Sequence, residues 1–150
     1  MRTRLAAFVF ATFLVPGSTA QDHPVKVFDA PDIPRILNKS SDPNPFAELT
    51  KGEGFRVTIR RRTELDVAIR HEQRVEVYHI LDGSATLVTG GRLRASRKGA
   101  NEGDLEGTGI ESGVEQVVQK GAVVVIQAGV PHWFSKINGH IDYTTTWIYR

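Results

Sequence analysis

Two histidines and one glutamate stand where the sequence pattern turns them inward. His71 closes the alternating run Leu65, Val67, Ile69, so the period that buries the aliphatics also points its imidazole to their side. Glu76 shares a face with Tyr78 and Ile80, which directs a carboxylate into an apolar interior, where an unpaired charge is strongly unfavourable. His132 follows the turn Ala128-Gly129-Val130-Pro131. A divalent cation shared between one carboxylate and two neutral imidazoles would offset the buried charge, and such a nitrogen and oxygen set suits zinc, iron, manganese or nickel. Hydrogen bonding among the three groups would satisfy them without a metal, so a metal-free pocket is the second reading.

Other chemistry-bearing residues read more plainly. His79 alternates to the face opposite Glu76, and His23 and His140 lie in polar or turn contexts, so all three are expected outside the site. Tyr78, Trp133, Phe134, Tyr143 and Trp147 are expected to line a core or pocket. Arg60, Arg61 and Arg62 form the one basic run, and it reads as a solvated strand edge. Gly99, Gly103, Gly107 and Gly109 lie in a charged segment, Arg92 to Gly113, with no lysine-serine pair and no helix start behind them. The segment therefore reads as a surface excursion and not as a phosphate cradle.

The elements that must position these residues are short strands. Phe55, Val57 and Ile59 alternate with Arg56, Thr58 and Arg60, and further strands are expected at Val75 to Leu81, Ala85 to Thr89 and Ile141 to Tyr149. Ala122 to Gln127 is almost wholly apolar, as for a strand buried on both faces. Upstream, residues 21–54 are polar and broken by five prolines, with only Asp32 to Lys39 suggesting a helical turn or two. This stretch reads as an arm that wraps the domain or serves a dimer interface. Many short strands with glycine turns and no long helix predict an all-β sandwich or barrel.

Residues 1–20 read as an address. A basic start, Arg2 and Arg4, precedes the apolar run Leu5 to Val15, then Pro16-Gly17 and the small residues Ser18-Thr19-Ala20. The pattern predicts a signal peptide cleaved near Ala20, a secreted or periplasmic location, and no stable membrane insertion once the leader is removed. Without those residues the balance is 17 basic against 17 acidic side chains, which gives no electrostatic case for nucleic acid as a partner. There are no cysteines, so disulfides are not available to an exported domain.

The histidine and glutamate pattern resembles the cupin superfamily. The first cupin motif is represented by His71, Glu76 and Gly83 at the family spacing, and the second by Gly121, Gly129 and His132. Departures are specific: Ile69 stands where the first histidine is usual, Thr63 at the early glycine, Gln127 at the proline and Lys136 at the last asparagine, and Ala122 replaces the aspartate after Gly121. The resemblance covers roughly Phe55 to Tyr149. It implies a double-stranded β-helix, a jelly-roll barrel spanning 55–150 behind the irregular arm 21–54, with His71, Glu76 and His132 as metal ligands.

Two histidines and a carboxylate match a facial triad with open coordination positions. On this reading the chain is a metal-dependent enzyme, dioxygenase- or isomerase-like, acting on a small oxygenated substrate. The alternative is a non-catalytic, metal-free cupin that captures a small ligand, and a homodimer is a candidate assembly on both readings. Export points to zinc or nickel first, with iron or manganese next, because the affinity order favours the former where the cell does not control supply.

Overall fold

The computed structural model describes residues 25–29 and 31–150. The leader expected over 1–20, and His23, lie outside the described residues. A six-residue helix, α1 (Asp32–Leu37), precedes the strands β1 (Phe46–Gly52), β2 (Phe55–Arg62), β3 (Ala68–His71), β4 (Arg74–Thr89), β5 (Arg92–Arg94) and β6 (Arg97–Lys98). After them come β7 (Asp104–Gly107), β8 (Gly109–Glu111), β9 (Val114–Gln119), β10 (Val123–Ile126) and β11 (His132–Tyr149). No helix among the described residues is long and apolar enough to cross a membrane.

Two long strands organise the sheet. β11 pairs antiparallel with β4 from His132 to Tyr149, and its other edge takes β2 from Ile141 to Ile148 and β3 at His132. The free edge of β4 is filled by β10 along its first half and β9 along its second. Three irregularities in the β4–β11 register bend both strands, as bulges do, and roll the sheet on itself. At the bend Gly83 has φ +74°, and a Cβ there would stand 2.0 Å from the His140 carbonyl oxygen, so the turn needs glycine. The result is the jelly-roll β-barrel that the sequence implied.

Within the roll, Tyr78, Ile80, Ala85, Leu87, Val118, Ile126, Phe134, Ile141 and Tyr143 form the apolar core. It occupies one end of the barrel, and the inward polar residues occupy the other. Leu37 of α1 is buried, and the helix lies against the outer side of β2, where Ile59 is fully buried.

Three sequence expectations meet a different outcome here. Phe46–Gly52, expected within the irregular arm, is a strand that pairs with β2. Prolines just upstream, at Pro43 and Pro45, hide it in the sequence, although they suit the approach to an edge strand. On β2 the alternation is present with the opposite hand. Arg60 faces the same side as Tyr143, and Thr58 the same side as Thr145, while Phe55, Val57 and Ile59 face outward. Period two shows that the faces differ and does not say which one is inside. β10, expected to be buried on both faces, has Val123 and Val125 more than half exposed on the outer side of the sheet, because nothing among the described residues packs over it.

Candidate metal centre

His71, Glu76 and His132 reach one point from three strands. His71 ends β3, Glu76 is the third residue of β4, and His132 opens β11 directly across from Ile69 of β3. The turn before His132 is tied to the strand of His71, since the Gly129 N–H donates to the His71 carbonyl at 2.8 Å. All three residues are at most 5% exposed. Each offers a ligand atom within 4.8 Å of the others. His71 Nε2 lies 3.4 Å from Glu76 Oε1, and His132 Nε2 lies 3.1 Å from Glu76 Oε2, separations that two ligands about 2.0–2.2 Å from one ion would show.

The second nitrogens decide the tautomers. His71 Nδ1 is 2.7 Å from Asp104 Oδ1. A carboxylate only accepts, so the Asp104 contact favours a proton on Nδ1, against the Arg74 Nη2 donor that stands 2.7 Å from the same nitrogen. His132 Nδ1 is 3.1 Å from the Val130 carbonyl and donates to it in the same way. Both Nε2 atoms then turn lone pairs toward a carboxylate that is also an acceptor, and His132 Nε2 has no hydrogen-bond partner. Beside His71 the Arg74 guanidinium already supplies a positive group, whereas between His132 Nε2 and Glu76 the two acceptors have room for a metal ion. Imidazoles oriented through a carboxylate or carbonyl on the far nitrogen are the usual outer support of metal-binding histidines.

Neighbouring groups tune the three. Burial pushes the Glu76 carboxyl up, but the His132 contact, the nearby imidazoles and the Tyr78 hydroxyl outweigh it and hold the group at about 2. Tyr78 donates to Glu76 Oε2 at 2.7 Å, and burial raises its own ionisation well above the ordinary phenol range, so it stays a donor. Burial lowers the His71 imidazole below its usual range, against the pull of Glu76, which favours the neutral form a metal needs. Asp104 is held below its ordinary value despite burial, by Asn101, His71 and Arg74.

Arg74 complicates this picture. Its Nη2 stands 2.7 Å from His71 Nδ1, 3.0 Å from His71 Nε2 and 3.3 Å from Asp104 Oδ2, and its Nε is 3.5 Å from Glu76 Oε1. The guanidinium therefore lies against both ring nitrogens of His71 and partly neutralises both carboxylates. A cation bound at Nε2 must displace that contact, which makes Arg74 a competitor of the metal. Such a shift leaves the guanidinium supported, because its Cζ already lies 4.3 Å from the centre of the Trp147 ring.

A cavity of about 260 Å³ opens from these residues, with Ile69, Tyr78, Trp133, Phe134, Tyr143 and Trp147 among its walls. The aromatics thus line the pocket as expected, and His79 is exposed on the outer face. Arg60 and Arg62 face the cavity, which corrects their reading as a solvated edge. Only Arg61 points away, bonding both oxygens of Asp142 at 2.7 Å. The segment 92–113 does more than cover the surface: β7 pairs with β3 and sets Asp104 directly opposite His71. Neither Asp104 nor Arg74 is marked by any motif, and only the β3–β7 register brings the former into the site.

No protein-family model and no curated protein sequence matches the chain. Solved structures do. The cupin domain of Schizosaccharomyces pombe Cnp3 superposes with TM-score 0.51 at 14% identity, over 73% of this chain and 67% of that one. The fold is that of the cupins. DMSP lyase DddQ from Ruegeria pomeroyi aligns with TM-score 0.51 at 14% identity, over 71% of this chain and 47% of the lyase. A predicted oxalate decarboxylase from Thermotoga maritima gives TM-score 0.50 at 16% identity, over 71% and 81% of the two chains. The iron(II) form of HppE gives TM-score 0.50 at 13% identity, over 73% and 53%. This chain spans about half the length of the lyase and of HppE. At these identities the likeness concerns the cupin fold, and the chemistry of the pocket rests on its own residues.

Proposed function

We propose that this cupin-fold chain binds one divalent metal through His71, Glu76 and His132 and acts as a metal-dependent enzyme on a small oxygenated molecule. The observation that supports this reading is that the Nε2 atoms of both imidazoles lie 3.4 and 3.1 Å from the two oxygens of one buried carboxylate, while their Nδ1 atoms rest against Asp104 and the Val130 carbonyl. Three ligands leave coordination positions open toward the cavity, and a metal bound there would polarise a carbonyl or activate oxygen. The protein's own share is positional. Asp104 fixes the ring of His71, Tyr78 fixes one oxygen of Glu76, and the aromatic walls limit water around the reacting end of the ligand.

Arg74 supports a second reading, a metal-free pocket that captures a small ligand without turnover, since its guanidinium already offsets Glu76 and Asp104. Elemental analysis of purified protein after reconstitution separates the two. The first reading expects close to one metal per chain, losses in His71→Ala and His132→Ala, and metal-dependent turnover somewhere in a panel of diketones, phenols and sugar acids. It further expects Arg74→Gln to bind metal roughly tenfold more tightly, because a competing like charge has been removed. Substoichiometric metal in both wild type and Arg74→Gln would leave the second reading standing.

A further inference from the structure

The wall next to the triad is built from hydrogen-bond donors that have nothing to bond. Thr145, 2% exposed, faces the cavity, and its Oγ1 has no hydrogen-bond partner. The indole Nε1 of Trp147 is likewise buried and without a partner. Trp147 is the cross-strand neighbour of Glu76, so its side chain starts about 5 Å from that of the proposed ligand. Above it lies Arg60, whose Cζ is 5.6 Å from the Trp147 ring centre and 5.0 Å from that of Phe46. Arg62 is committed to Asp66, whereas Arg60 makes no ion pair among the described residues. Unmet buried donors are unfavourable, and two of them on one cavity wall, beside the unpaired and half-buried Arg60, suit a ligand made of acceptors.

Charge points the same way. Among the residues that line the cavity, Arg60, Arg62 and Arg74 balance Asp66, Glu76 and Glu106. A divalent cation on the triad leaves the pocket positive even when Asp104, behind His71, is counted. A neutral substrate would leave that excess uncompensated in a half-enclosed site, and an anionic one would offset it.

We infer that the substrate carries an oxyanion, most simply a carboxylate, which Arg60, Thr145 and the Trp147 indole hold one strand away from the metal-binding end. This deepens the proposed function and rests on the same pocket. The anion is bound by groups that are not metal ligands, so the two ideas can fail separately.

Calorimetric titration with 3,4-dihydroxybenzoate and its neutral analogue 3,4-dihydroxybenzamide tests it, since both present the same catechol to a metal and differ only at the far end. Metal-loaded wild type is expected to prefer the acid at least tenfold, as charge-assisted hydrogen bonds require. That preference should fall below threefold in Arg60→Gln and be partly kept in Arg60→Lys, with amide affinity falling much less than acid affinity. Trp147→Phe, which removes only the indole donor from the ring stack, should lower the preference severalfold. Benzoate and benzamide, titrated into metal-free protein, repeat the comparison without the catechol. A preference for benzoate there that disappears in Arg60→Gln supports the anion subsite even if metal is never recovered. Equal affinity for acid and amide in wild type, or a preference unchanged in both Arg60→Gln and Trp147→Phe, overturns it.

Discussion

Glu76→Gln is expected to reduce the affinity for divalent metal by on the order of 100- to 1000-fold while leaving the fold intact. The substitution keeps the shape of the side chain and an acceptor for the Tyr78 hydroxyl, which donates to Glu76 Oε2 at 2.7 Å. It removes the only formal negative charge among the three ligands. Uncoupling one member of a buried charged set typically costs about 3–5 kcal/mol, and each 1.4 kcal/mol is a factor of ten in affinity. Competition with a chelator of known strength, on protein whose thermal transition has been checked by circular dichroism, measures it. Metal-free protein should be much less affected, because Arg74 and Asp104 still pair when Glu76 is neutral. Binding within tenfold of wild type would mean that the carboxylate is not a ligand and that the imidazoles hold the ion without it.

The parts of this site that can be read from the sequence share one property: they are fixed locally. His71 lies two residues from Ile69 on one strand, Glu76 two residues from Tyr78 on the next, and His132 directly after a glycine and proline turn, so alternation and short spacing suffice. Asp104 is 33 residues from its partner, inside a glycine-rich stretch with no apolar period, and only sheet pairing sets it beside His71. Arg60 and Arg62 fail for a different reason. A barrel with a polar pocket at one end reverses the usual rule that the apolar side of a strand faces in, and β2 is the strand on which the reversal occurs. Ile59 is fully buried on the outer side of β2, the strand against which α1 packs, so the inward side of β2 is free to hold guanidinium groups. Val123 and Val125 show the same limit, since an apolar run on β10 implied burial on both faces and the structure covers one.

Ile69→His is expected to tighten metal binding by roughly ten- to a hundredfold. Ile69 lines the cavity, shares its face with His71, and is paired across the strands with His132, so its Cβ lies about 5 Å from that of one proposed ligand. An imidazole at this position adds a neutral nitrogen donor to a set that now has three ligands. It fills one of the open positions at little expense in packing, because Ile69 is only half-buried. The gain should come with a loss: fewer positions remain for a chelating ligand, so 3,4-dihydroxybenzamide should bind metal-loaded Ile69→His more weakly than wild type. Chelator competition gives the first quantity, and the visible absorption of the cobalt(II)-loaded protein reports whether the coordination shell has changed. An unaltered cobalt spectrum with unaltered affinity would place the ion away from position 69, and with it away from His132. A tighter site with a changed spectrum would show that the isoleucine, standing where cupins usually have a histidine, is what keeps the triad open.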